Sequence, residues 1–204
     1  MTKIPPWHNK AAFLQHFMLQ PAPIRQRPAL KRLRPAAVLL PLVERADGLG
    51  LILTQRAANL RHHAGQISFP GGRYEAADGD LRQTALRETE EEIGLAQDKI
   101  QIVGQLQDYP VISNYLIRPF VGFVDINQPL QRQRSEVAEI FEVPLAQVLH
   151  QPDHYVFKLR RFIYPEVYFI AYQQRQIWGA TAGILRELAD HLAPEHQQLF
   201  RPLN

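Results

Sequence analysis

The sequence predicts an α+β fold, on three features of the chain. Short β-like runs begin at Ala36 and flank an Ala46-Asp47-Gly48 turn signal, while two segments with helical periodicity follow at Leu81–Ile93 and Ala180–Leu192. Strands and helices do not alternate as regular βαβ units would, which argues against a doubly wound parallel sheet. At 204 residues, 46% of them apolar and 21% charged, the chain has enough apolar mass to bury one domain-sized core.

Taken in order, residues 7–19 read as a short helix with Ala12, Phe13, Phe17 and Leu19 toward one side. Residues 20–35 are a proline-punctuated connection, so 1–35 is expected to be an N-terminal appendage and 36–204 the main domain. The runs 36–43 and 49–55, on either side of the Asp-Gly pair, form a predicted hairpin. Further strands are predicted at 100–106, 117–124, 140–143, 155–162 and 167–172. No repeat or low-complexity tract interrupts this pattern.

Composition excludes several kinds of chemistry. Cysteine is absent, so disulfides, thiolate metal sites and cysteine nucleophiles are ruled out, and any metal must be held by oxygen or imidazole. The first twenty residues contain no signal-peptide core, and no apolar run reaches membrane-spanning length. A cytoplasmic location without membrane contact is therefore the expectation. The net charge of +3 concentrates at Arg25, Arg27, Lys31, Arg32 and Arg34. No aromatic residues interleave with these cations, so the stretch reads as a solvated linker before it reads as a nucleic-acid arm. A homodimer is left open.

The chemistry concentrates between Leu53 and Leu95. Glu88, Glu91 and Glu92 are three and four residues apart and share one face of the predicted helix, with Leu86, Thr89 and Ile93 on a different, core-facing side. The acids occupy the last turn before Gly94, where the helix dipole disfavours them by about 0.3–1 kcal/mol each. A divalent cation relieves that repulsion, and carboxylates without thiolates suit Mg²⁺ or Mn²⁺. The ordinary alternative is a solvated helix end in which Arg87 pairs with Glu91. Just upstream, Phe69-Pro70-Gly71-Gly72 ends an apolar run with two residues that let a phosphate approach the backbone, although paired glycines alone are also a common turn.

These residues resemble the Nudix box. Its second half matches Arg87-Glu88-Thr89-Glu90-Glu91-Glu92-Ile93-Gly94-Leu95, with Thr89 in an ordinarily apolar place. Its first half departs: counting back from Arg87 puts the usual acid position on Gly79, and register returns with Gly72 as the box glycine, Asp78 as the acid and one residue inserted. That insertion, together with the run from Leu53-Thr54-Gln55-Arg56 through Arg61 and Gly65 to Phe69-Pro70-Gly71-Gly72, is similar to the coenzyme A pyrophosphatase subgroup. Ala57 stands where that subgroup usually has serine. Stretches 136–145 and 177–185 also resemble it, so the likeness runs from Ala36 to near the C-terminus.

The resemblance implies an α/β/α sandwich around a mixed sheet and a metal-dependent diphosphate hydrolase. Glu88, Glu91 and Glu92 would hold Mg²⁺ or Mn²⁺, with Arg87 orienting them. Glu136 and Glu139 are candidates for a base or further ligand from a distant loop. Arg56 and Arg61 suit phosphate oxygens, because a guanidinium forks onto them, and Gly71 and Gly72 would line the substrate. His62 and His63 read as solvent-facing, while Tyr115, Arg118 and Trp178 either shape a pocket or pack. The implied substrate is coenzyme A or a derivative, cleaved to 3′,5′-ADP and a 4′-phosphopantetheine product. The rivals are another nucleoside diphosphate derivative, such as ADP-ribose, a dinucleotide or capped RNA, and a non-catalytic nucleotide-binding module.

Overall fold

The computed structural model describes residues 5, 8–20, 33–60, 63–126, 128–158, 166–193 and 201–202. The first helix, α1 (Lys10–Leu19), starts three residues later than predicted because Asn9 caps it, its side chain accepting from the Ala12 N–H at 2.8 Å. Of the residues expected on one side, Phe13 and Phe17 are buried, but Leu19 is 74% exposed, since it falls in the last turn where the chain leaves the core.

The hairpin forms from β1 (Arg34–Arg45) and β2 (Gly48–Arg56), closed by the Arg45/Gly48 pair. Two short strands, β3 (Ile67–Ser68) and β4 (Gly71–Arg73), were not predicted. They are too brief for periodicity to reveal and exist because β2 and β1 offer them ladder partners. The second helix, α2 (Leu81–Ile93), has the predicted bounds: Asp80 caps it through the Gln83 N–H at 2.7 Å, and Gly94 ends it in the left-handed region. Then come β5 (Ile100–Gln105), β6 (Tyr109–Val111), β7 (Tyr115–Val124) and β8 (Val137–Pro144), the last longer than the predicted 140–143 because it pairs along β2.

Among the described residues these eight strands form one mixed sheet, with β1 parallel to β7 and the other pairs antiparallel. Alternation along the central strands builds two cores. Ala37, Leu39 and Val43 of β1 with Phe120 and Val124 of β7 face α2, whereas Leu40 and Leu42 with Val121 and Phe123 face the other side. On that side Phe13 stacks on Phe17 and meets Phe123 edge-on. Gly104 clears the way: a Cβ there would come within 2.6 Å of the Phe17 ring.

The chain continues through α3 (Leu145–Val148), β9 (His154–Lys158), β10 (Glu166–Tyr172), β11 (Arg175–Trp178), α4 (Ala180–Leu192) and β12 (Arg201–Pro202). Residues 159–162 of the predicted strand 155–162 lie outside the described residues, as does most of the 20–35 connection. Strands β9 to β12 form a second sheet, in the order β11-β10-β9-β12, which the sequence did not separate from the first. Its inward residues Val156, Tyr168, Ile170 and Ile177 join Ile184, Leu185 and Leu188 of α4 in the core that holds α1. Helices thus cover both faces of the main sheet, in agreement with the predicted α+β class. No described helix is long and apolar enough to cross a membrane.

Candidate active site

The site forms where the β3–β4 connection passes beneath the C-terminal half of α2. The Pro70 carbonyl accepts from the Leu39 N–H at 2.9 Å and holds the loop flat against β1. Gly71, at φ +153°, lies so close to Ala37 and Val38 that a side chain there would strike the backbone, and a Cβ at Gly72 would overlap the Glu88 carboxylate. The diglycine is therefore a requirement of close approach between loop and acidic helix.

Arg87 is the hub of the helix. Its Nε and Nη2 donate to Asp78 at 2.6 and 3.1 Å, its Nη1 lies 3.1 Å from Glu88 and 3.0 Å from Glu91, and its Nη2 also reaches the Arg73 carbonyl at 3.3 Å. Asp78 is buried and also accepts from the Thr84 hydroxyl at 2.8 Å and the Glu75 N–H at 2.9 Å. Those hydrogen bonds, led by Arg87, hold its carboxyl well below the usual carboxylate range against the cost of burial. Arg87 is in turn raised above the ordinary arginine value, chiefly by Asp78. The one-residue insertion obscured Asp78 in the sequence; the structure places it as the anchor that aims Arg87 at the acids.

The three glutamates do not behave alike. The Glu92 side chain is 4% exposed; it accepts from the Gly71 N–H at 3.3 Å, and Arg56 Nη1 lies 3.7 Å from it. Burial nevertheless prevails over Arg56 and Gly71, with Glu88 and Glu136 adding repulsion, and pushes Glu92 up to about 8. Glu88 is also raised by burial, against the pull of Arg87. Glu91, with 58% of its side chain exposed, turns outward onto Arg87. Tertiary packing thus corrects the expected division of the helix faces: Glu92 is buried together with Thr89 and Ile93.

Glu136 is exposed, yet its charge bears on both Glu88 and Glu92. Its segment is pinned to the site at both ends, since the Gln133 N–H donates to the Glu92 carbonyl at 2.9 Å and the Ala57 N–H to the Glu136 carbonyl at 2.8 Å. Glu139 is drawn away by Arg175, which pairs with it at 2.6 Å. Arg56 reaches the site with its Nε buried and without a hydrogen-bond partner among the described residues. Arg61 and His62 lie outside the described residues, and His63 is exposed and bonded to Gln66 at 2.8 Å.

Among the described residues, no three carboxylate or imidazole side chains form a ready-made metal cage. The donors that meet here still fit a hard divalent ion: burial raises the proton affinity of both Glu88 and Glu92, Glu88 raises that of Glu92 further, and a cation would supply the charge that Arg56 supplies only in part. Mg²⁺ commonly binds through one or two carboxylates and takes its remaining ligands from water and substrate phosphates.

Residues 32–163 match the family model described as the NUDIX domain. The chain is 42% identical over 181 residues to a Photorhabdus laumondii protein called uncharacterized Nudix hydrolase NudL, covering 88% of this chain and 96% of that one. A Shigella flexneri protein of the same name is 39% identical over 178 residues, covering 87% of this chain and 91% of that one. A solved MutT/nudix family protein from Enterococcus faecalis superposes with a TM-score of 0.51 over 93% of this chain and 73% of its own, at 16% identity, a likeness of fold.

Proposed function

The chain belongs to the Nudix hydrolase family, enzymes that generally use divalent cations to cleave diphosphate linkages in nucleotide-derived substrates, and we propose that its substrate is coenzyme A or a derivative. The products are 3′,5′-ADP and the corresponding 4′-phosphopantetheine. The observation that carries the assignment of the reacting centre is the burial of Glu92 and the partial burial of Glu88 against a diglycine that has no room for side chains. The substrate assignment rests on the motif from Leu53 to Gly72 that precedes this helix.

In this reading Glu88 and Glu92 would hold Mg²⁺ or Mn²⁺, with Glu91 contributing from the rim. When bound, the ion neutralises phosphoryl charge and makes a water more acidic. Asp78 fixes Arg87, and Arg87 fixes Glu88 and Glu91, so the acids are set before substrate arrives. Gly71 and Gly72 admit the diphosphate close to the backbone. Arg56, with 27% of its side chain exposed, donates to a phosphoryl oxygen from the accessible part of its guanidinium. Glu136, whose charge bears on both acids, takes the proton from the attacking water.

Purified protein incubated with coenzyme A and Mg²⁺, with and without a chelator, tests this reading. Chelator-sensitive appearance of 3′,5′-ADP and 4′-phosphopantetheine by mass is the expected result. Intact coenzyme A beside cleaved ADP-ribose or dinucleotide would overturn the substrate, and Mg²⁺ binding without turnover of any of them would overturn catalysis itself.

A further inference from the structure

The catalytic face of the sheet carries a second cation that the reaction as described does not use. Strand β1 lies between β4 and β7, and one row of the register runs Gly72, Ala37, Arg118. Residues in register on neighbouring strands leave a sheet on the same side. Ala37 belongs to the core beneath α2, and a side chain at Gly72 would run into Glu88, so Arg118 emerges on the face that carries the acids. It lies two strand spacings, about 10 Å, from the diglycine. Arg56, on β2, stands on the opposite side of the same acids.

Arg118 is held in an orientation suited to a ligand. Its Nε and Nη2 donate to the two oxygens of Asp108 at 2.7 and 2.8 Å, a bidentate pairing that fixes the plane of the guanidinium. The pairing occupies one edge of the fork. Among the described residues Nη1 donates to nothing, and 35% of the side chain is open to solvent. A guanidinium pinned along one edge, with the other presented beside a phosphate-cleaving centre, is preorganised for a second anion.

We propose that Arg118, clamped by Asp108, determines specificity by binding a phosphate monoester on the substrate's ribose, one sugar away from the diphosphate that Arg56 meets. The chemical group follows from the reading of coenzyme A above, on which the proposal rests. A dianionic phosphate fits the open edge, and the clamp lowers the ordering cost of binding it.

Calorimetric binding of 3′,5′-ADP and of 5′-AMP in Mg²⁺ tests the proposal without requiring turnover. Wild-type protein is expected to prefer the bisphosphate by about tenfold or more, and Arg118→Gln to lose that preference. Asp108→Asn, which keeps the cation but weakens its clamp, is expected to lose part of it and carries the test if Arg118→Gln does not fold by circular dichroism. A wild type that binds both nucleotides alike, or variants that weaken both equally, would overturn the proposal. A wild type that prefers the bisphosphate, an Arg118→Gln that loses the preference and no cleavage of coenzyme A would together leave Arg118 its role and overturn only the reaction.

Discussion

Helices α2 and α4, each 13 residues long, pack into opposite cores of the protein, and both bury charged side chains. In α4 one pair of buried opposite charges is matched within the helix: Arg186 and Asp190, 0% and 1% exposed, pair at 2.8 Å across one turn. In α2, Glu88 and Glu92 also sit one turn apart, but both are acidic, and burial raises the proton affinity of both. Their cationic neighbours, Arg87 and Arg56, offset this only in part. Buried charge therefore does not by itself mark a site. What separates the two helices is whether the fold supplies the opposite charge or leaves that to a ligand.

The comparison is broken most severely at α4. Asp190→Ala removes the carboxylate that pairs with Arg186 in the core and is expected to lower stability by about 3–5 kcal/mol in chemical denaturation, leaving turnover of the surviving folded fraction near wild type. A smaller loss would mean that water or another acid takes over the guanidinium.

Acid should strain the same core through His154. This residue is fully buried, with Nε2 2.8 Å from the Val148 carbonyl, and burial pushes it down to about 4. Below about 6.5 the unfolded chain binds a proton that the folded protein refuses, so stability falls with pH through this window and levels off below about 4. At about 1.4 kcal/mol per tenfold change in proton affinity, His154 accounts for a loss of roughly 3 kcal/mol. His154→Leu should flatten the pH dependence of the denaturation midpoint over this range.

At α2 the effect falls on rate. Glu92→Gln removes a buried charge at nearly constant shape, so the thermal midpoint should hold or rise while kcat drops by about 10²-fold or more. Retention of normal turnover would remove Glu92 from the mechanism. Asp78→Asn should have the smallest effect, roughly a tenfold loss of activity with Mg²⁺ affinity weakened, because it loosens Arg87 without deleting an acid of the site. An unchanged Mg²⁺ titration would reduce Asp78 to a structural support.

Much of this is legible in the amino-acid sequence. Asp80 and Gly94 delimit α2 because a cap and a left-handed stop are local chemistry, and the Asp47-Gly48 hairpin is visible for the same reason. The acidic run with its upstream diglycine stood out because both lie within one stretch of chain. Strands of two or three residues left no periodicity to read, so β3 and β4 were missed, and nothing local assigns β9 to β12 to a separate sheet. The Arg118–Asp108 clamp joins residues ten apart across a change of strand, and counting along a motif cannot show that Asp78, beside an insertion, faces Arg87.

The sequence by itself determined the α+β class, the two long helices and the placement of three glutamates within a turn and a half, since these follow from spacing and capping along the chain. Only the tertiary structure decided which glutamates matter alike. Glu91 lies in the same run as the others, but the β3–β4 loop covers Glu88 and Glu92 and leaves Glu91 in water. Proton affinity and metal fit depend on the desolvation imposed by that cover, which comes from a different part of the chain.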